Sequence, residues 1–185
     1  MVQELVLLSA EDILISRLRG CPPGNKDAAA YETVCSDIID HLFRSDFRQS
    51  YRQSGTADAM FRMDLQCSLR NTTEFWQFLY EAYKCRITVF EFKNYAAPID
   101  QNLIYTTQKY LHPKLFRTVA FIISRKGFSP HARDAARGLL MEYSKLIVDL
   151  TDEDLIAMLE LKKRGGDPSD HLMRRVERMF MSISV

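Results

Sequence analysis

One stretch of the chain, residues 116–124 (FRTVAFIIS), limits the possible folds more than any other. It contains five consecutive apolar residues, Val119 to Ile123, with no alternation between apolar and polar positions. A strand that is covered on one face alternates in polarity, whereas a strand that is buried on both faces is apolar throughout. The stretch therefore predicts a central strand of a β-sheet with helices on both of its faces.

Strand and helix patterns alternate along the rest of the chain. Residues 60–68 place Phe61, Met63 and Leu65 on one face, which predicts a half-buried strand, and residues 52–60 are expected to form a loop or hairpin turn. Predicted strands occupy residues 60–68, 87–93, 116–124 and 145–150, and predicted helices occupy residues 9–18, 27–43, 71–84, 97–111, 129–144, 151–165 and 167–183. This order predicts an α/β fold with a central mixed β-sheet flanked by helices, and with extra C-terminal helices.

The charge distribution is uneven although the net charge is only +1. A net charge this small excludes a global positive field that would attract nucleic acid. Residues 84–145, however, hold eleven Lys or Arg and four Asp or Glu, a net charge of +7, so the rest of the chain is acidic. This local excess indicates a surface that faces a polyanion, although a solvated helix face produces the same pattern.

The cysteines and the hydropathy indicate the compartment. The four cysteines form no Cys-x-x-Cys pair, and the four histidines lack the spacing of zinc ligands. Reduced thiols in a cytoplasmic protein fit this pattern. We find no signal peptide and no apolar run near the roughly 18 residues that a membrane helix needs, so we expect no membrane partner.

Residues 87–93 (ITVFEFK) place two charged residues in a strand of buried type. Glu91 and Lys93 are two positions apart and therefore share one face of the strand, while Phe90 and Phe92 point to the opposite face. The sequence therefore predicts a functional site on the face of the strand that carries Glu91 and Lys93.

Asp64 lies on the polar face of the preceding predicted strand. If the two strands are neighbours, Asp64, Glu91 and Lys93 converge on one patch. Two carboxylates at such a distance repel each other unless a cation lies between them, and Mg²⁺ is commonly held by one or two carboxylates with water and phosphate oxygens. A lysine beside the ion can orient water or stabilise charge on a phosphate. A metal ion and a lysine in this arrangement can catalyse phosphodiester hydrolysis.

Asp64, followed after a helix by Glu91-Phe92-Lys93, resembles the PD-(D/E)xK nuclease signature, and FEFKNY resembles its Mrr-type branch among restriction endonuclease-like domains. Four segments are similar to the first core helix, the strand pair with the aspartate, the helix after the lysine, and a later strand with its helix: AYETVCSDIIDHLF, ADAMFRMDL, IYTTQKYL and VAFIISRKGFSPHARDAA. The resemblance covers about residues 30–150. The sequence departs from the family pattern in having no proline directly before Asp64.

The resemblance implies a restriction endonuclease-like nuclease core at residues 30–150. An N-terminal helix and loop at 1–29 precede it, and a C-terminal helical extension of the same domain follows at 151–185. The resemblance also implies that the protein is a DNA endonuclease that uses Mg²⁺, with Mn²⁺ able to substitute, and that it acts in prokaryotic defence or DNA repair.

In that family pattern, Asp64 and Glu91 bind the metal together with the backbone carbonyl of Phe92. Lys93 positions the attacking water and stabilises the transition state. Glu32 on the first core helix faces the metal, and Gln108 on the helix after the lysine belongs to the site.

Each of these residues also has a plainer interpretation. Glu91 and Lys93 could form an exposed salt bridge on an edge strand, and Asp64 could be a solvent-facing strand residue. Glu32 and Gln108 could lie on solvated helix faces. At the level of the whole protein, the alternatives are a catalytically inactive nuclease-fold module that binds nucleic acid or a protein partner, and a purely structural interaction module.

The predicted partner is DNA. Four basic residues are expected to contact its phosphates without reading sequence: Lys109, Lys114, Arg125 and Lys126. The sequence shows no separate DNA-recognition domain, so a homodimer or a larger complex is expected to supply target recognition.

Overall fold

The computed structural model describes residues 8–55 and 62–183. Residues 56–61, which belong to the predicted loop and to the start of the predicted strand at 60–68, lie outside the described residues, as do 1–7 and 184–185. In chain order the elements are α1 (Ala10–Gly20), α2 (Ala28–Phe43), β1 (Phe47–Gly55), β2 (Arg62–Leu69), α3 (Glu74–Tyr83), β3 (Ile87–Lys93), α4 (Gln101–Gln108), β4 (Val119–Ser124), α5 (Pro130–Tyr143), β5 (Leu146–Thr151), α6 (Asp152–Lys163) and α7 (Ser169–Met181), with short 3₁₀ turns at Asn25–Asp27 and Pro113–Leu115.

The five strands form one mixed sheet in the order β1-β2-β3-β4-β5. Strand β2 is antiparallel to both β1 and β3, whereas β4 is parallel to β3 and β5 is parallel to β4. Parallel neighbours need a long crossover, and α4 and α5 lie in the two crossovers. The predicted α/β class with a mixed, helix-flanked sheet is therefore confirmed.

The two faces of the sheet pack against different helices. One face forms a hydrophobic cluster with α1, α2, α3, α6 and α7, and the other face forms a second cluster with α4 and α5. Every residue of β4 is buried, as expected for a strand inside a sheet that is covered on both sides. The described parts of residues 1–29 and 151–185 contribute Leu18, Leu155 and Leu172 to the same cluster as Phe90 of β3.

Strand β1 corrects the predicted loop at residues 52–60, because residues up to Gly55 belong to this strand. Phe47 is buried, whereas residues 48–53 are exposed. An edge strand has a neighbour on one side only and can remain polar, so it leaves no hydrophobic periodicity in the sequence. Arg52 of this strand forms ion pairs with Asp37 and Asp40 of α2.

Several helices begin directly after a Ser or Thr residue. Ser9 and Asp12 form a capping box at α1, with each side chain accepting a hydrogen bond from the other residue's backbone N–H. Thr73 directly precedes α3, and Ser129 caps α5 by accepting from the backbone N–H of Ala132. Among the described residues, no helix combines the length and the apolar character that are needed to cross a membrane.

Arg125, directly after β4, forms hydrogen bonds with three distant parts of the chain. Its Nε donates to Asn94 Oδ1 at 2.7 Å, its Nη1 donates to Asp152 Oδ2 at 2.7 Å, and its Nη2 donates to the carbonyl of Cys21 at 2.6 Å. The guanidinium also lies 4.2 Å from the centroid of the Tyr31 ring. Only 11% of the Arg125 side chain is exposed, so these contacts replace the predicted contact of Arg125 with a DNA phosphate.

Asn94, immediately after β3, forms hydrogen bonds with the loop that contains Pro22 and Gly24. Its Nδ2 donates to the carbonyls of Pro22 and Gly24 at 2.9 Å each, and the N–H of Gly24 donates to the Asn94 carbonyl at 2.8 Å. The loop between α1 and α2 is thus attached to the end of the strand that carries Glu91 and Lys93.

We expect Arg125→Ala to lower the free energy of unfolding by roughly 2–4 kcal/mol, because Asp152 and Asn94 lose their donor in a partly buried setting. Denaturant unfolding at neutral pH measures this change. Lys126→Ala is the matched control, since Lys126 is the next residue and is exposed, and it should change stability by less than about 0.5 kcal/mol. Equal effects of the two substitutions would show that Arg125 is an ordinary surface cation.

Candidate active site

Strands β2 and β3 place three charged side chains side by side. The strands are antiparallel, and Leu65 of β2 is opposite Phe90 of β3. Asp64 precedes Leu65 and Glu91 follows Phe90, so the two acidic residues are neighbours across the two strands. Leu65 and Phe90 belong to the cluster on one face of the sheet. Because side chains alternate along a strand, Asp64 and Glu91 lie on the opposite face.

The ammonium of Lys93 lies between the two carboxylates. Its Nζ donates to Asp64 Oδ2 at 3.0 Å and to Glu91 Oε2 at 2.8 Å. The backbone N–H of Phe92 also donates to Asp64 Oδ2, at 2.8 Å. The structure therefore brings together Asp64, Glu91 and Lys93, and it fixes one carboxylate oxygen of Asp64 with two donors.

This cluster is largely buried. Glu91 is 2% exposed, and the side chains of Asp64 and Lys93 are 13% and 17% exposed. Strand β3 has a hydrogen-bonded neighbour on each side. The alternative of an exposed salt bridge on an edge strand is therefore wrong.

The pKa values of Glu91 and Lys93 depend on burial and on the charges of their neighbours in the cluster. Burial raises the pKa of Glu91 to about 7; Lys93 opposes this rise and Asp64 adds to it. Burial lowers the pKa of Lys93, but the negative charges of Glu91 and Asp64 outweigh burial and raise it overall. Each shift depends on the ionisation of the partner, so Lys93 keeps its proton most firmly when both carboxylates are charged.

Glu91 Oε1 is a buried carboxylate oxygen that accepts no hydrogen bond from the described residues. The other oxygen of this carboxylate, Oε2, is bound by Lys93. A buried carboxylate oxygen without a donor is costly, and a hard cation would satisfy it. Within residues 8–55 and 62–183, no three His, Cys, Asp or Glu side chains group so as to hold a metal ion. The oxygens of Asp64 and Glu91 fit Mg²⁺, which commonly takes one or two carboxylates and completes its shell with water and phosphate.

Glu32 lies on α2 and has other partners. Its Oε1 accepts from Gln53 Nε2 at 3.1 Å and lies 3.8 Å from the guanidinium of Arg62. It does not form a three-carboxylate group with Asp64 and Glu91. A role for Glu32 at the site stays a prediction.

Gln108 is the last residue of α4 and is half-buried. Its carbonyl accepts a hydrogen bond from Lys145 Nζ at 3.3 Å, and its side-chain amide has no hydrogen bond with another described residue. A role for Gln108 in catalysis therefore also stays a prediction.

Three of the four predicted phosphate contacts lie at the surface. Lys109 follows α4, Lys114 is in the turn at Pro113–Leu115, and Lys126 follows β4, and all three are exposed. Their contact with DNA stays a prediction.

Two residues near the site were not identified as functional from the sequence. Tyr110 is buried beyond α4, and its pKa is raised by burial and by the negative charge of Glu91. Asn94 is 2% exposed and anchors the end of β3. Asn94 appeared in the FEFKNY motif, but the motif does not reveal its partners, which are about seventy residues earlier in the chain.

No family model matches this chain, and neither the curated proteins nor the solved structures contain a match to it. A functional proposal therefore depends on the site geometry and on the sequence signature.

The raised pKa of Glu91 predicts a pH dependence of stability in the metal-free protein. Between pH 4.5, the ordinary pKa, and about pH 7, the folded state holds a proton on Glu91 that the unfolded state has lost. The free energy of unfolding contributed by Glu91 therefore falls as pH rises through this window, by on the order of 1.4 kcal/mol per pH unit, and is constant above and below it.

Denaturant unfolding in EDTA at several pH values, for wild type and Glu91→Gln, isolates this term from all other titrations. We expect the stability of wild type relative to Glu91→Gln to fall between pH 4.5 and about 7. A difference that does not change with pH would mean that Glu91 ionises at its ordinary pKa.

Proposed function

We propose that the protein is a metal-dependent endonuclease of the PD-(D/E)xK type that hydrolyses phosphodiester bonds in DNA. One observation carries the proposal: Asp64 and Glu91, from adjacent strands, converge on Lys93 while Glu91 Oε1 remains buried without a partner. A purely structural ion pair has no need for a second buried carboxylate with an unsatisfied oxygen.

The order of elements supports the finer assignment to a restriction endonuclease-like fold. Helix α2 corresponds to the first core helix of the family pattern, the pair β1 and β2 precedes the Asp64 position, and β3 carries the E-x-K residues. Helix α4 follows the lysine, and β4 with α5 corresponds to the later strand and helix. The sequence signature and this order agree at each of these elements.

Asp64 and Glu91 would hold Mg²⁺, or Mn²⁺ in its place, with the backbone carbonyl of Phe92 as a further ligand. When bound, the ion would supply Lewis-acid activation of water and neutralise charge on the phosphate. The neighbouring negative charges keep Lys93 protonated, because they raise its pKa. Lys93 would therefore act as a hydrogen-bond donor that orients the attacking water and stabilises charge on the phosphate oxygens.

DNA would approach along the positive part of the surface. Lys109, Lys114 and Lys126 are exposed and would contact backbone phosphates without reading sequence. Target recognition would come from a second copy of the chain or from a larger complex, in the context of prokaryotic defence or DNA repair in the cytoplasm.

Cleavage of plasmid DNA in Mg²⁺ or Mn²⁺, compared between wild type and Lys93→Ala, tests this function. We expect wild type to cut and Lys93→Ala to cut at least about 10²-fold more slowly in single-turnover conditions, because the ammonium stabilises charge that develops in the transition state. DNA affinity, measured by gel shift, should change little, since one phosphate contact is a small part of the electrostatic total.

Lys163→Ala is the matched control for this experiment, because Lys163 forms only an exposed pair with Asp12. It should cut at the wild-type rate. Absence of cleavage in wild type with either metal, or an equal rate in Lys93→Ala, would remove the catalytic role and leave a binding or structural module.

A further inference from the structure

A second cleft lies at the β5 edge of the sheet, between α5, β5 and α7. It encloses about 220 Å³ and shares no residue with the cluster of Asp64, Glu91 and Lys93. The charged side chains that line it are Arg133, Arg137, Asp149, Arg175 and Arg178. Arg137 is paired with Asp134, and Arg175 lies 3.5 Å from Asp149 and 3.7 Å from Asp154. The excess positive charge of the cleft is therefore that of Arg133 and Arg178, and it favours an anionic ligand.

Two of these arginines are held in place by the protein. Nη2 of Arg175 donates to the carbonyl of Asp149 at 2.7 Å, and Nη2 of Arg137 donates to Ser182 Oγ at 2.8 Å. Arg133 and Arg178 are exposed at the rim and form no hydrogen bond or ion pair with any residue in the described part of the chain. Their donor groups are therefore available to a phosphate.

Asp149 supplies an unused acceptor in this cleft. Its Oδ2 accepts from the backbone N–H of Phe128 at 3.1 Å, whereas its Oδ1 is buried and has no hydrogen-bond partner in the part of the chain that the structure describes. Burial raises the pKa of Asp149, which shows that the carboxylate is poorly solvated. A ligand that donates a hydrogen bond would satisfy Oδ1, and the cost of leaving it unpaired favours such a ligand.

The rest of the lining is largely apolar and includes Phe128, Ile147 and Met179. This surface suits a flat, uncharged group rather than a bare inorganic ion. The enclosed space is somewhat smaller than the roughly 300–1,000 Å³ that is typical of pockets for whole ligands. It can therefore hold one ring system, with a charged group outside it near the exposed arginines.

We propose that this cleft binds a nucleoside monophosphate, with the base against the apolar lining, an amino group of the base donating to Asp149 Oδ1, and the phosphate bound by Arg133 and Arg178. An apolar floor, a buried acceptor and a guanidinium rim together match these three parts of a nucleotide. The proposal does not depend on nuclease activity, since the two sites have no residue in common.

Calorimetric titration of the full chain with AMP tests the proposal. We expect AMP to bind one site per chain, and adenosine and inorganic phosphate each to bind at least roughly tenfold more weakly, because each lacks one half of the contacts. Lys93→Ala should bind AMP as wild type does, which separates this site from the proposed nuclease site.

Arg178→Ala should weaken AMP binding by roughly tenfold or more, and Arg133→Ala should do the same. Arg174→Ala is the matched control, because Arg174 is exposed on the same helix and does not line the cleft. Both lining arginines are exposed, so their removal should leave the fold intact, and thermal unfolding checks this.

Three results would overturn the proposal. They are no binding of AMP at millimolar concentration, equal affinity for AMP in Arg178→Ala and Arg174→Ala, and inorganic phosphate binding as tightly as AMP. A loss of affinity for a short DNA duplex in Arg178→Ala, without any binding of AMP, would assign the arginines to nucleic acid and equally exclude a nucleotide site.

Discussion

The arrangement of β2 and β3 depends on one positive charge between two buried carboxylates. Two buried carboxylates that are close together repel each other unless a cation lies between them. Lys93 Nζ lies 3.0 Å from Asp64 Oδ2 and 2.8 Å from Glu91 Oε2. The ammonium satisfies one oxygen of Glu91 and leaves the other unpaired. In the proposed site, a bound metal ion would satisfy this second oxygen of Glu91.

The surrounding structure holds the strand that carries this charge. Asn94 and Arg125 attach the end of β3 to the loop before α2 and to Asp152 at the start of α6. These contacts are polar, mostly shielded from water and contributed by four separate parts of the chain. They join the end of β3 to the helices, and the proposed catalytic role of Lys93 needs such a fixed geometry.

Much of the fold could be predicted from local patterns. The apolar run of β4 and the alternation around Met63 and Leu65 each depend on neighbours in sequence, and each was predicted correctly. Strand β1 was missed because an exposed edge strand needs no apolar face. The shared face of Glu91 and Lys93 follows from the period of a strand, whereas the burial of Arg125 and the arginine cleft arise from residues far apart in sequence.

In the proposed nuclease site, Asp64 and Glu91 share one position for a divalent cation. Calorimetric titration of metal-free protein with Mn²⁺ at pH 8 tests this assignment most directly, because pH 8 lies above the raised pKa of Glu91. The account predicts one ion per chain for wild type, and affinity lower by at least about tenfold in both Asp64→Asn and Glu91→Gln, with thermal unfolding showing that each variant is folded. Absence of Mn²⁺ binding in wild type, or undiminished binding in the two variants, would contradict it.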